Sequence, residues 1–531
     1  MTCLCLPAEA AVPEDDEGND FVYLVNSDEI KFSKRLNPDA QILRGNVVFR
    51  HDSMYMYCDS AMFYQQANSF NAYLNVRVEQ GDTLFLFGDS LYYDGNSKLL
   101  RVRNNVRLEN REMILLADSM NYDRNSGLGY FFEGGTLFDL DNTLTSEYGQ
   151  YDSNTGLAIF RDSVRLDNVE YVMTTDTLSY SAENHTAYFT CPTRITSGEN
   201  VIDTRNGWFD TDISNSVLLD RSSVTRGDNE QRMVGDSLVY DSEGGRVWGY
   251  GNVVINSFAD KIDVLGEYAF FDRNRDSAVV ADRTLAIEYS MGDSLFIHAD
   301  TFKLKTIKDT KDSVLNRIGM AYHHVKAYRK DMQMICDSME FQSADSCLTL
   351  YRDPIVWSAR QQILGEVIKA YMNDSTIEWA HVLGQALSVE QIDSMCFNQI
   401  SSREMKAYFN GGEIEKAVVD GNVMAVYFPF DSDSLMIGMN TTVASNMEVY
   451  FRMRRVNKIV VLEKSNGVLY PMSQIPPREL HLPKFVWYEE LRPYNREDVF
   501  FWRGKPVNER LKETTATRQM PLPTLPPISP E

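Results

Sequence analysis

The chain is poor in the features that announce chemistry. It has no CxxC pair, and no Cys/His cluster at zinc-ligand spacing, so the common zinc modules are excluded. GxSxG, HExxH, GxxxxGK[ST], GxGxxG and EF-hand loops are all missing, which removes the usual signatures of esterases, metalloproteases, nucleotide binding and calcium loops. No stretch reaches the ~18 apolar residues of a membrane helix. Helical periodicity is nearly absent, apart from a hint around residues 363–371. Positive charge is scarce too. Lys and Arg number 52 against 76 Asp and Glu, a net charge of −24, which argues against a nucleic-acid-binding face. No catalytic residue, cofactor or metal site is expected.

What remains points to strands. Apolar residues make up 43% of the 531, with 28 Tyr and 27 Phe, enough for a folded core rich in strand formers. Cys58 and Cys336 read as small buried residues; a Cys336–Cys347 disulfide stays open at this level. Near the N-terminus, Leu4-Cys5-Leu6-Pro7-Ala8-Glu9-Ala10 precedes acidic Glu14-Asp15-Asp16-Glu17. This looks like the end of a secretory signal peptide, which predicts export.

One pattern recurs along the chain: a small residue, an acid, Ser or Thr, an apolar residue, and an aromatic two further on. It reads Cys58-Asp59-Ser60-Ala61 with Phe63, then Gly88-Asp89-Ser90-Leu91 with Tyr93. Asp118, Asp176, Asp236, Asp300 and Asp337 head further copies, and Glu147, Arg205 and Glu267 head degenerate ones. From Asp59 through Asp89, Asp118, Glu147, Asp176 and Arg205 the steps are 30, 29, 29, 29 and 29 residues. A fixed period of this size means a repeat architecture. Apolar residues alternate before each acid and again after it, but out of phase by one. The acid therefore reads as a corner or bulge that restores the inward direction. Arg205 at an anchor position, and the missing GGxGxD loops, argue against a calcium ladder. His323-His324, read as strand residues, would point to opposite faces.

The inward series expected from this alternation is Val47, Phe49, Met54, Met56, Leu84, Leu86, Leu91, Val106, Leu108, Met113, Leu115 and Met120. Two uses remain open for it: an apolar ligand groove, or a closed dry core. Prolines at 471, 476, 477, 483 and 493, with aromatics between them, end the repeat pattern. This stretch reads as a cap on the last rung or as a docking segment, with an extended Pro-rich tail from 521 to 527.

Leu43-Arg44-Gly45-Asn46-Val47-Val48-Phe49, followed by Met54-Tyr55-Met56-Tyr57-Cys58-Asp59, resembles the repeat unit of the OstA-like family. That family includes the periplasmic lipopolysaccharide bridge LptA and the N-terminal domain of the outer-membrane translocon LptD. Gly251-Asn252-Val253 and Gly421-Asn422-Val423 repeat the motif, and the length is similar to the long OstA-like proteins of the Bacteroidetes. The resemblance implies an all-β, elongated, solenoid-like β-jellyroll, a V-shaped folded sheet. It implies a non-enzymatic carrier that shields lipid A acyl chains of lipopolysaccharide in the twelve-residue inward series and bridges toward the outer membrane. Implied partners are other Lpt-type jellyroll proteins, the translocon among them, and further copies of the chain joined end to end. The alternative is an extracellular β-solenoid adhesin or structural spacer. The predicted organisation is a leader over 1–20, jellyroll repeats over 21–386, a second jellyroll segment over 387–470, and a Pro/aromatic-rich segment over 471–531.

Overall fold

The computed structural model describes residues 21–503, apart from 34–36, 83, 112, 228–229, 291, 309–314, 374–375, 432, 434 and 454. The expected leader and the Pro-rich tail lie outside the described residues. Within them the chain is all β, with 40 strands in one antiparallel sheet and only short 3-10 turns besides. It divides into two compact units, residues 1–255 and 256–531. Residues 386 and 387, where the sequence places a junction, are consecutive in the strand Ile377–Gln391.

Each rung is built from alternation broken once. In Met54–Tyr64 the buried residues are Met54, Met56 and Cys58, then Ala61 and Phe63. Leu84–Asp94 repeats this, with the phase change at Asp89. The bend itself sits on the neighbouring strand. Pairing of Leu84–Asp94 with Ser69–Gln80 jumps over Asp89 alone on one side, from Gly88 to Ser90, and from Tyr73 to Val76 on the other. The two residues passed over, Leu74 and Asn75, have φ of 66° and 48°. Matching left-handed pairs are Gly45-Asn46, Asn104-Asn105, Gly251-Asn252, His323-His324, Gly384-Gln385 and Gly421-Asn422. Two successive left-handed residues form a bulge that re-aims the strand, and Gly and Asn tolerate that conformation best. At Gly251 space as well as φ requires glycine, because a Cβ there would lie 2.8 Å from the Asp236 carboxylate.

The corners split every rung of the first unit into two arms. One holds Val47, Phe49, Met56, Leu86 and Leu108; the other holds Leu43, Phe63, Phe70, Leu91 and Tyr93. The inner surfaces of the arms face each other. Phe49 of the first arm stacks on Phe70 of the second, with ring centroids 4.0 Å apart.

The outer turns of the first unit are tied from rung to rung. Asp94, Asp123 and Asp152 each accept from the backbone N–H two residues on, at 3.0, 2.9 and 2.9 Å. The Asn at that position then donates to the preceding turn: Asn96 to Ala67 O at 3.2 Å, Asn125 to Ser97 O at 3.0 Å and Asn154 to Ser126 O at 3.0 Å. Turn carbonyls that would otherwise need water are thereby satisfied within the protein.

Two expectations are revised. The helical hint at 363–371 is two strands, Gln361–Leu364 and Val367–Met372. The phase change between them put Ile363 and Ile368 five apart and imitated a helical repeat. The aromatic C-terminal segment is no end cap. It runs back over the outer face of the second unit, where buried Gln side chains read its backbone. Gln399 bonds Leu480 O and Leu482 N at 2.9 and 2.8 Å, and Gln362 bonds Val486 O and Tyr488 N at 3.0 and 2.8 Å. Beneath this strap Ile335, Ile355 and Trp357 pack on Tyr488 and Leu491. Lys326, 1% exposed, donates to Asp498 O and Phe501 O at 2.9 and 2.7 Å.

Candidate functional site

The interior between the arms is the one surface that all rungs share. In the first unit it is shut. All twelve residues of the inward series face it, and each is 9% exposed or less. They join one continuous apolar cluster reaching from Val22 to Leu238. The space lined by Met54, Val78, Leu84, Leu86, Leu108 and Tyr122 measures about 10 Å³, at the lower limit for a single water.

Buried polar latches seal the open side of this unit. His51 Nδ1 and Tyr93 OH are 2.6 Å apart. Asn110 Nδ2 donates to Tyr151 OH at 2.6 Å, and Tyr180 OH donates to Asp139 Oδ2 at 2.6 Å. Each joins the far end of one arm to the other arm, across 42, 41 and 41 residues of chain. Burial pushes the Tyr93 phenol up to about 12. Burial, then the bond to Asp139, pushes Tyr180 further up still. The latching ring is the residue four past each corner acid. Tyr93, Tyr122, Tyr151, Tyr180 and Phe209 hold that place at 0, 3, 4, 1 and 4% exposure. The interior loosens after them, with Ile202, Val224 and Met233 only partly buried.

In the second unit the same position carries Leu304, Phe341 and Ala370. Leu304 is 44% exposed, and Phe341 and Ala370 are half-buried. Close to the corners the unit is packed, with Ala321, Cys336, Leu350, Ile368, Met405 and Val419 buried. Further out, inward residues such as Leu295, Ile297, Phe302, Leu348, Ile363, Ile400 and Ala417 are only partly covered. Gly319 pairs with Leu304 on the neighbouring strand, and a Cβ added to it would meet nothing within 4 Å. The second unit thus presents a groove, packed at its base and open outward. At the far end of the arms, Arg317 Nη1 reaches Asp260 Oδ1 at 3.2 Å, and both side chains are about half exposed, 50% and 45%.

The acid ladder lies outside this interior. Asp59 accepts from Asn75 at 2.7 Å, Asp89 from Asn105 at 2.7 Å and Asp236 from Asn252 at 2.7 Å. Asp300 meets His324 at 2.8 Å, and Asp337 meets His323 and Arg352 at 3.3 and 3.1 Å. Asp176 accepts from Thr177 at 3.2 Å, and Asp118 is exposed. His323 and His324 thus serve two different corners. They are the left-handed pair of their strand, not extended residues on opposite faces. The Asn252 bond, offset slightly by desolvation, lowers the Asp236 pKa. Burial raises Asp337, but bonds from Ser338 and His323 outweigh it and leave its pKa lowered. Asp236 and Asp337 are thus held charged against the left-handed residues of the adjacent strand. Among the described residues no three His, Cys, Asp or Glu side chains gather as a metal would need. Cys58, Cys191, Cys336, Cys347 and Cys396 are all free thiols.

The alternation and the corners were readable from sequence; the latches, the strap and the opening of the second unit were not. One signal for the opening was present, the non-aromatic Leu304 and Ala370 four past Asp300 and Glu366. No helix among the described residues is long and apolar enough to cross a membrane. No curated protein matches the chain. Residues 19–176 do match a family model, that of the OstA-like proteins, and over that span the chain is similar to them.

Proposed function

We propose that the protein is a non-enzymatic periplasmic carrier of lipopolysaccharide, whose acyl chains lie in the groove of the second unit. The observation that carries this reading is the row of half-covered inward apolar residues from Leu295 to Ala417, with open space above Gly319. Apolar surface left facing water gains about 0.8 kcal/mol for each CH₂ laid against it. A few acyl segments would therefore outweigh the repulsion of a net charge of −24 for an anionic lipid. The twelve inward residues of the first unit act in this account as its packed scaffold.

The adhesin or spacer alternative calls for a closed interior throughout, and the half-exposed groove argues against it. Exposed strand edges support end-on pairing with other jellyroll proteins, the outer-membrane translocon among them, or with further copies of the chain. Tyr23 and Val25 are 44% and 50% exposed on Tyr23–Asn26, and Val468 and Leu469 are 44% and 59% exposed on Asn466–Pro471. An unpaired edge is a template for another strand.

Mass spectrometry of lipid copurifying with the protein, expressed in a lipopolysaccharide-producing host and exported to the periplasm, tests the reading. Stoichiometric lipid A supports it. Protein free of lipid A, purified without detergent, refutes it.

A further inference from the structure

The charge of the chain is unevenly spread. Residues 301–330 hold eight Lys or Arg against two Asp, a net +6 within a chain of −24. This segment contains the antiparallel strands Thr301–Lys308 and Leu315–Arg329. On them Leu304 pairs with Gly319, and Arg317 pairs with Thr306 two residues further toward the mouth. Lys303 and Lys305 flank Leu304 on the outer face of its strand. A chain resting on Leu304 and Gly319 would therefore end beside the Arg317 guanidinium, while on the opposite face Lys303 Nζ lies over the Tyr322 ring, 5.1 Å from its centroid.

Resting on the carrier reading above, we propose that Arg317 binds the phosphate-bearing headgroup of the lipid whose chains occupy the groove. Charge complementarity points to this occupant. Arg317 is the cation at the mouth, and the neighbouring lining of Phe302, Leu304, Gly319 and Phe341 is uncharged. Asp260 holds the place of the anion beside Arg317. It bonds the Arg317 guanidinium at 3.2 and 3.3 Å through its two oxygens, and Ser257 Oγ donates to it at 2.7 Å. An exposed pair of this kind is weak and exchangeable. A phosphate offers three strong acceptors where the carboxylate offers two, and guanidinium binds phosphate through parallel bonds. Entry of a headgroup would exchange Asp260 for phosphate and release this tie between the arm ends. In the first unit the corresponding ends are joined by Asp52 to Lys98 and Arg124 at 3.2 and 2.9 Å, above the buried His51–Tyr93 latch. That mouth stays shut when its surface pairs exchange.

Calorimetric titration of the full chain with dodecyl phosphate, dodecyl maltoside and inorganic phosphate tests this. The phosphate amphiphile is expected to bind about tenfold tighter than the maltoside, the worth of one charged hydrogen bond. That ratio should fall toward one in the Arg317→Ala variant and stay unchanged in the outward-facing Lys303→Ala, Lys305→Ala double variant. It should rise in Asp260→Asn, where the competing carboxylate is gone. An unchanged ratio in Arg317→Ala overturns the proposal. Inorganic phosphate binding as tightly as dodecyl phosphate also overturns it, because the site would then be one for free phosphate. If neither amphiphile binds, the carrier reading itself fails.

Discussion

Asn252 donates from Nδ2 to Oδ2 of Asp236 at 2.7 Å across sixteen residues, and the same bond at the same spacing joins Asn75 to Asp59 and Asn105 to Asp89. The corner is therefore a two-strand device: an acid on one strand, and a left-handed pair on the next that carries the donor. Removing the donor in Asn252→Ala should cost about 1 kcal/mol, because the bond is exposed. Gly251→Ala should cost more, on the order of 2 kcal/mol, since it adds left-handed strain and a clash with Asp236. Urea unfolding of the two variants checks the order.

The corner also makes stability fall in acid. The pKa of Asp236 is lowered in the folded chain, so its contribution is complete above the ordinary carboxylate range. It is lost as pH falls through the lower folded value. Asn252→Ala should flatten the acid limb of the stability profile below about pH 4. An unchanged limb would assign the loss to other carboxylates.

The latches predict the opposite limb. Tyr93 is held protonated up to about 12, so the unfolded chain ionises first, near pH 10. The stability from this group is present below pH 10 and drains away between there and about 12. Tyr180→Phe removes the phenol from Asp139, which is 3% exposed, and should cost about 2 kcal/mol at neutral pH. Chemical denaturation followed across pH 7 to 12 measures both effects.

These interactions show what a sequence can and cannot carry. Alternation around Asp59 and Asp89 is a local property, so the inward residues and the phase change are legible. The bending pairs have no shared letters: Leu74-Asn75, Asp162-Ser163 and His323-His324 all adopt the same conformation. Only the Gly-Asn pairs at 45, 251 and 421 advertise it. His51 meets Tyr93 across 42 residues, a distance at which no periodicity argument pairs them. Gln333, Gln362 and Gln399 read as ordinary polar surface until the strap covers them. The basic strands after Thr301 vanish into a net charge of −24.

The strap rests on Lys326, whose pKa burial lowers despite the nearby Asp498. Lys326→Ala removes both bonds to the strap backbone while Arg503 keeps Asp498 paired at 2.6 Å. Loss of about 2 kcal/mol at this contact should speed protease cleavage within residues 475–503 by more than tenfold, read by mass mapping of early fragments. Cleavage at the wild-type rate would mean that the Gln contacts hold the strap alone.

Gly319 separates fold from function. A Cβ there meets nothing within 4 Å, and aromatic residues suit strands better than glycine. Gly319→Trp should therefore leave the unfolding midpoint unchanged or raised while lipid copurification falls severalfold. A destabilised variant, or one that retains full lipid, would contradict an open groove at this rung.

The most direct measurement is site-specific photo-crosslinking in cells making lipopolysaccharide. Photoreactive residues at Phe341 and Ala407 sample the second groove, and those at Met56 and Leu115 sample the packed interior of the first unit. The account predicts lipopolysaccharide adducts at 341 and 407 and none at 56 and 115. Adducts at Met56 or Leu115, with none at Phe341 or Ala407, would contradict it.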